Sequence, residues 1–250
     1  MIYITGDCHG DFRRFSTKNF PEQKEMTKED YVIICGDFGG IWNYQGEDAN
    51  EKHWLDWLNE KPFTTLFVCG NHECFPRIYS YLIEEWNGGK VHKIRPTVMH
   101  LMRGEVFEIS GKKIFAFGGA SSHDIRDGIL DPVKDADKIR KWNRDYTKLF
   151  RIDGVSWWKE ELPSMAEMLN GLKNLKETEE KVDYIVSHCA PQQIASIISG
   201  GFYEPDSLTR YFNIIAETTE FDRWFFGHYH DNRQVLGKFI MLYEQITRIA

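Results

Sequence analysis

Several features are missing from this 250-residue chain. No basic stretch followed by a run of roughly 7–15 apolar residues opens it, so Met1-Ile-Tyr-Ile-Thr-Gly reads as a strand and not as a secretory signal. No run approaches the roughly 18 apolar residues that a membrane helix needs. There is no Pro/Gly-rich or single-residue tract of the kind that marks disorder, and no internal repeat. Five cysteines, an odd number with no CxxC spacing, exclude an obvious disulfide framework or zinc ribbon and read as small buried side chains in a reducing compartment. The cytoplasm is the expected location. A net basic charge is lacking too: the formal sum is -7, which argues against a general nucleic-acid or membrane-surface binder. Bound metals do not enter that sum, so a locally positive site stays open.

What is present is ordinary globular material, 42% hydrophobic and 28% charged, with eight Trp among 36 aromatic residues to fill a core or line a pocket. The length suits one domain over residues 1–250. Short apolar runs predict strands at Ile2–Thr5, Tyr31–Cys35, Thr65–Cys69, Asp183–Ser187 and Asp222–Phe226. Between the early ones lies a helical pattern at Asn50–Glu60, with Trp54, Leu55 and Leu58 on one face and Glu51, Lys52, Asp56 and Asn59 free to face water. Such alternation is βαβ traffic and predicts an α/β fold. From Val91 to Gly119 a meander of short strands follows, and with Phe239–Tyr243 it predicts a second sheet. Residues 120–160 have the least regular pattern and read as an insert or lid. Leu162–Lys181 reads as a surface helix whose stripe, Met165, Met168, Leu169, Leu172 and Leu175, faces the core.

Each predicted parallel strand ends in a polar cluster: Gly6-Asp7-Cys8-His9-Gly10, Gly36-Asp37, Gly70-Asn71-His72-Glu73, Ser187-His188 and Gly227-His228-Tyr229-His230. The carboxyl ends of parallel strands share one sheet edge, where α/β proteins bind ligands. Asp, Asn and His are the donors that hold two hard-to-borderline divalent cations side by side. In Asp7-x-His9 the side chains at i and i+2 of an extended segment point the same way and can reach one cation. His228 and His230 follow the same rule or are shared between two ions. Asp37 has two oxygens and suits a bridge, and Asn71 offers a neutral carbonyl oxygen, leaving His72 free to act on substrate. Singly, each cluster has a bland reading as turn chemistry; together, five of the nine histidines fall at strand ends beside Gly or Asp.

As an ordered set, GDxHG, GD, GNHE, SHxxP and GHxH resemble the calcineurin-like metallophosphoesterase superfamily from Met1 to about Tyr243. The resemblance implies a four-layer α-β-β-α sandwich with a dinuclear metal centre at the sheet edge. It implies that Asp7, His9 and His230 bind one metal, that Asp37 bridges, and that Asn71, His188 and His228 bind the second. His72 would contact the phosphoryl oxygens or protonate the leaving group, after attack by a hydroxide that two metals make available. Mn is the expected metal, with Fe, Zn, Co and Ni fitting the same donors.

Asp37 is followed by Phe38-Gly39-Gly40, where protein phosphatases of this superfamily carry Asp-Arg-Gly. That departure speaks against a phosphoprotein substrate and leaves the phosphate-gripping cation to another residue, Arg126 in the insert or Arg13 after the first cluster. His123 and Asp124 flank Arg126 and are candidates to join the site. The expected function is a metal-dependent hydrolase of a small phosphate ester, monoester or diester, with extended nucleic acid unlikely and no membrane partner. The rivals are a catalytically silent metal-binding scaffold of the same fold and a nuclease acting on short nucleic acids. Oligomeric state is unknown from the sequence.

Overall fold

The computed structural model describes residues 1–250. In chain order the first half contains β1 (Ile2–Thr5), β2 (Tyr31–Ile34), α1 (Ala49–Asn59), β3 (Thr64–Phe67), α2 (Phe75–Ile78), β4 (Ile83–Trp86), β5 (Gly89–Arg95), β6 (Val98–Leu101), β7 (Glu105–Ile109) and β8 (Lys112–Phe117). The second half contains β9 (Gly128–Leu130), α3 (Ala136–Trp142), β10 (Phe150–Ile152), α4 (Met165–Glu177), β11 (Lys181–Ser187), α5 (Gln192–Ser199), α6 (Ser207–Thr218), β12 (Glu220–Phe226), β13 (Arg233–Val235), β14 (Phe239–Met241) and β15 (Thr247–Arg248).

Two sheets carry the fold, one in the order β15-β1-β2-β3-β6-β5-β4 and one in the order β13-β14-β12-β11-β8-β7. Strands β1, β2, β3 and β6 run parallel, as do β8, β11, β12 and β14. Side chains alternate along these strands and so feed separate apolar layers. Ile2, Ile4, Ile33, Leu66, Ala116, Val186 and Phe225 fill the space between the sheets. Val32, Ile34 and Phe67 point the other way, onto Phe12, Phe15 and the α1 residues Leu55 and Leu58. Phe117, Ile185 and Trp224 pack outward beneath α4, α5 and α6 through Leu175, Ile194 and Phe212. The result is the four-layer α-β-β-α sandwich.

Three details depart from the sequence reading. The meander is split: β5 and β6 add to the first sheet, whereas β7 and β8 belong to the second, so the chain changes sheets across Met102–Gly104. Periodicity cannot show this, because both halves alternate alike. In α4, Met165 and Leu169 are exposed, and the buried face runs through Met168, Gly171, Leu172 and Leu175. Gly171 is what lets the helix approach closely: a side chain there would overlap the Tyr211 hydroxyl. Glu51 on α1 faces inward, pairing with Arg77 and accepting from the backbone N–H groups of Trp42 and Asn43 at 2.6 and 2.7 Å. It holds the loop that follows Asp37. Within 120–160, β9 and β10 pair with each other alone and α3 buries no residue, so this segment sits over the sandwich without joining its sheets. No helix is long and apolar enough to cross a membrane.

Candidate metal centre

The loops after β1, β2, β3, β11 and β12 converge on one edge of the sandwich. Asp7 and Asp37 lie at its bottom, 0% and 2% exposed, with no Lys or Arg ion partner. Buried carboxylates are expensive unless paired or coordinated. Here every ion partner is an imidazole: His230 Nε2 at 3.1 Å, His9 Nε2 at 3.8 Å and His188 Nδ1 at 3.9 Å from Asp7, and His188 Nε2 at 3.3 Å, His9 Nδ1 at 3.8 Å and His72 Nε2 at 3.9 Å from Asp37. His9 and His230 face each other through their Nε2 atoms at 3.0 Å, an arrangement suited to donors that share a cation. Asp7, His9 and His230 form one group with donor atoms within 4.8 Å of one another; His9, Asp37 and His72 form another, and Asp7, Asp37 and His188 a third. The donor set of carboxylate, amide and imidazole fits two divalent cations.

The surroundings orient these donors. His188 Nδ1 is 2.8 Å from the carbonyl of Cys35, to which it donates, so Nε2 is turned towards Asp37 and the Asn71 amide oxygen, 3.2 Å away. The Asn71 amide nitrogen in turn donates to Ser122 Oγ at 3.3 Å, and Ser122 donates to the buried Glu161 at 2.7 Å. The backbone N–H groups of Asn71 and His72 donate to Asp37 Oδ1 at 2.9 and 2.8 Å, and the N–H of His228 donates to Asp7 Oδ1 at 2.9 Å. Arg14 pins the first loop from beneath, donating to the carbonyls of Asp7 and Tyr243, both at 2.6 Å. Buried Glu73 accepts from Phe38 N–H at 2.8 Å and so ties the third loop to the second; burial, with Asp37 nearby, pushes its carboxyl up to about 8.

The backbone is strained where the donors sit. His9, Asp37, His228 and His230 all have φ between 42° and 69°, four of the nine non-glycine residues in this left-handed region. Such conformations persist only when the surroundings over-determine them, and they cluster at functional sites. Gly70 and Gly227 supply close approach, since a Cβ on either would overlap Asp37 or Asp7 Oδ1.

Electrostatics of the metal-free chain match this picture. Burial alone would lower His188, but Asp37 and then Asp7 outweigh it and push the imidazole up to about 9. Burial would raise Asp37, yet His188, His72 and His9 hold its carboxyl well below the usual range. His72 is pushed down by burial, opposed by Asp37 and reinforced by Arg151.

The remaining expected residues fall as follows. The His228 ring lies 4.8 Å from that of His188 and 4.4 Å from that of His123, outside the three donor groups. His72 stands at the open side, with Trp42 stacked on it at 6.0 Å. Arg13 is exposed and pairs with Asp11. Arg126 is exposed, near Asp127 at 3.7 Å and donating to the Thr147 carbonyl, although it also lines the cavity next to His228. The guanidinium beside His72 is that of Arg151, 3.2 Å from its Nε2 and anchored on Asp124 at 2.5 Å. Arg151, Arg14 and the Ser122–Glu161 pair were missed. Only the irregularity of 120–160 signalled that this segment could supply a residue to the centre.

Residues 1–232 match the family described as calcineurin-like phosphoesterase. The chain belongs to that family. Relatives include lariat debranching enzyme A of Xenopus laevis, 26% identical over 208 residues, which covers 77% of this chain and 33% of that protein. The lariat debranching enzyme of Schizosaccharomyces pombe is 30% identical over 139 residues, 51% of this chain and 27% of that one. That of Danio rerio is 26% identical over 144 residues, 52% and 24%. The matches thus span a third or less of the length of these curated relatives.

One expectation is overturned. A small phosphate ester as partner, with extended nucleic acid unlikely, conflicts with relatives named for debranching lariats, which are branched RNA. The reasoning failed because net charge sums the whole surface, whereas attraction for a phosphodiester is set within a Debye length of the centre, where bound metals dominate.

Proposed function

We propose that the chain is a metal-dependent phosphodiesterase acting on nucleic acid, with branched RNA as the leading substrate. The observation that carries this reading is that two cavities meet the centre at different members of it. One, of about 360 Å³, is lined by His9, His72 and Trp42; the other, of about 410 Å³, is lined by Ser122, His123, Tyr203 and His228. A diester places a substituent on each side of phosphorus, and a monoester has only one to place. The names of the relatives point the same way.

Asp7, His9 and His230 would hold one metal and Asn71, His188 and His228 the other, with Asp37 between them; Mn is the first choice. Bound there, the metals would supply Lewis-acid charge to the phosphoryl oxygens and lower the pKa of water. The chain's own contribution is positional. Asn71 is held by Ser122, and His188 by the Cys35 carbonyl, so each donor is aimed before substrate arrives. His72 at the open side would contact the phosphoryl oxygens or, once protonated, give a proton to the departing oxygen, and Arg151, 3.2 Å from it, would steady the phosphate. Trp42 stacks on the His72 ring and forms one wall of the cavity there. Five buried free cysteines fit a reducing compartment such as the cytoplasm.

The test is hydrolysis of a branched RNA, a linear RNA and an aryl phosphate monoester by metal-stripped protein with Mn²⁺ restored, alongside His72→Ala. Diester turnover that needs both metal and His72 supports the reading. Preference for the monoester would overturn it.

A further inference from the structure

We propose that the cavity beside His228 is a nucleobase subsite, with Tyr203 as its stacking platform. This rests on the reading of the centre as a phosphodiesterase and specifies how one nucleoside of the diester is held.

The cavity shares His228 and Ser122 with the surroundings of the metal centre, and at about 410 Å³ it falls within the range of small-ligand pockets. Rings run outward from the centre along it. His228 meets His123 at 4.4 Å, His123 stacks on Tyr203 at 4.5 Å and 28°, and Tyr203 meets Tyr229 at 5.3 Å. Phe202 at the rim is 90% exposed. His123 is engaged by both His228 and Tyr203, so a flat ligand would stack on Tyr203 at the outer end of this wall.

Charge decides against phosphate as the occupant. The charged lining residues besides the rings are Arg126, Glu204 and Asp206. Arg126 is turned to the Thr147 carbonyl and Asp127. Asp206 is occupied by Ser121 Oγ at 2.6 Å and Thr209 N–H at 2.7 Å, where it caps α6. An anion would find two carboxylates and one cation aimed elsewhere. A neutral, planar group with a polar edge suits the rings and the Gln192 amide that also lines the cavity. On a phosphodiester, the group of that description is a base.

The experiment is a cycle in which protein and substrate each lose half of the stack. The substrates are a dinucleoside monophosphate and its two analogues with abasic ribose on one side or the other; the proteins are wild type, Tyr203→Ala and Tyr203→Phe, all Mn²⁺-loaded. For wild type, removing the base on one side should lower kcat/KM by about 5- to 150-fold, the range for losing one base–aromatic stack. In Tyr203→Ala the same removal should cost almost nothing further, and Tyr203→Phe should behave as wild type. Independent, additive losses would overturn the subsite while leaving the phosphodiesterase intact. Binding of the same dinucleotide to metal-stripped protein, followed by calorimetry, tests the subsite apart from catalysis: a Kd that Tyr203→Ala leaves unchanged would overturn it even if no ester were hydrolysed. If the dinucleotide binds through Tyr203 but neither it nor a branched RNA is hydrolysed, the phosphodiesterase reading falls instead.

Discussion

Gly227 lies against the carboxylate of Asp7 so closely that no side chain fits between them. A Cβ on Gly227 would overlap Asp7 Oδ1, the oxygen that accepts the His228 N–H, and would crowd the Cys35 carbonyl. The neighbours are backbone and a buried carboxylate, so neither can yield cheaply. Gly227→Ala should therefore displace Asp7, lower stability by about 1–3 kcal/mol as overpacking does, and reduce bound metal to one ion or fewer. Thermal unfolding together with elemental analysis checks this. Full metal content in a normally stable variant would mean that the two loops are not interlocked.

Metal loading should release a proton. In the metal-free chain His188 is pushed up to about 9 by Asp37 and Asp7, so at neutral pH it carries a proton that an incoming cation must displace. The folded value lies above the ordinary one, and so the competition holds at every pH below about 9. Apparent Mn²⁺ affinity should rise about tenfold per pH unit towards that limit for one displaced proton. Calorimetry at pH 7 in buffers of different ionisation enthalpy should show proton release, to which His230, also raised by its hydrogen bond to Asp7, contributes, and His188→Gln should lower it by about one proton. A pH-independent affinity would contradict the ligand role.

Ser122 should matter to a metal that it does not touch. Its hydroxyl donates to Glu161 at 2.7 Å and receives the Asn71 amide at 3.3 Å, so it fixes which way the amide oxygen points. Ser122→Ala strips a partner from buried Glu161, at a cost of about 1–3 kcal/mol, and should weaken metal at the Asn71 side by about 10- to 100-fold. Mn²⁺ titration should show two unequal sites, where two tight ones are expected of wild type. Unchanged titration with lowered stability alone would confine Ser122 to a structural part.

What the sequence disclosed and what it hid separate by range. Strands ending in Gly-Asp, Gly-Asn-His or Gly-His are local patterns, so the parallel strands and the convergence of Asp7, Asp37, Asn71, His188 and His230 followed from the order of clusters. The loop strain at His9, Asp37, His228 and His230 leaves no periodic trace, because tertiary contacts impose it. Arg151 reaches His72 across 79 positions, and Ser122 reaches Asn71 across 51. No spacing rule covers such distances, and an arginine in an irregular stretch resembles any other, so the pattern singled out Arg126 and gave no sign of Arg151, the one that lies beside His72.

That exchange of arginines can be decided by kinetics. Arg151 is 13% exposed, held in place by Asp124 and directed at His72, whereas Arg126 is 70% exposed and turned to the Thr147 carbonyl. A pre-oriented guanidinium beside His72 loses little freedom when it engages phosphate, and a solvated one loses much more. On a diester substrate Arg151→Ala should lower kcat/KM by about 10²- to 10³-fold, the scale of one donor to developing charge, with both metals retained. Arg126→Ala should cost far less. Asp124→Asn should fall between the two, because it frees Arg151 without removing it. Steady-state kinetics on the three variants, with metal content measured in parallel, settles the assignment: if Arg126→Ala proves the more damaging, the phosphate grip belongs to the exposed arginine, and its side chain must swing from Thr147 towards the centre when substrate binds.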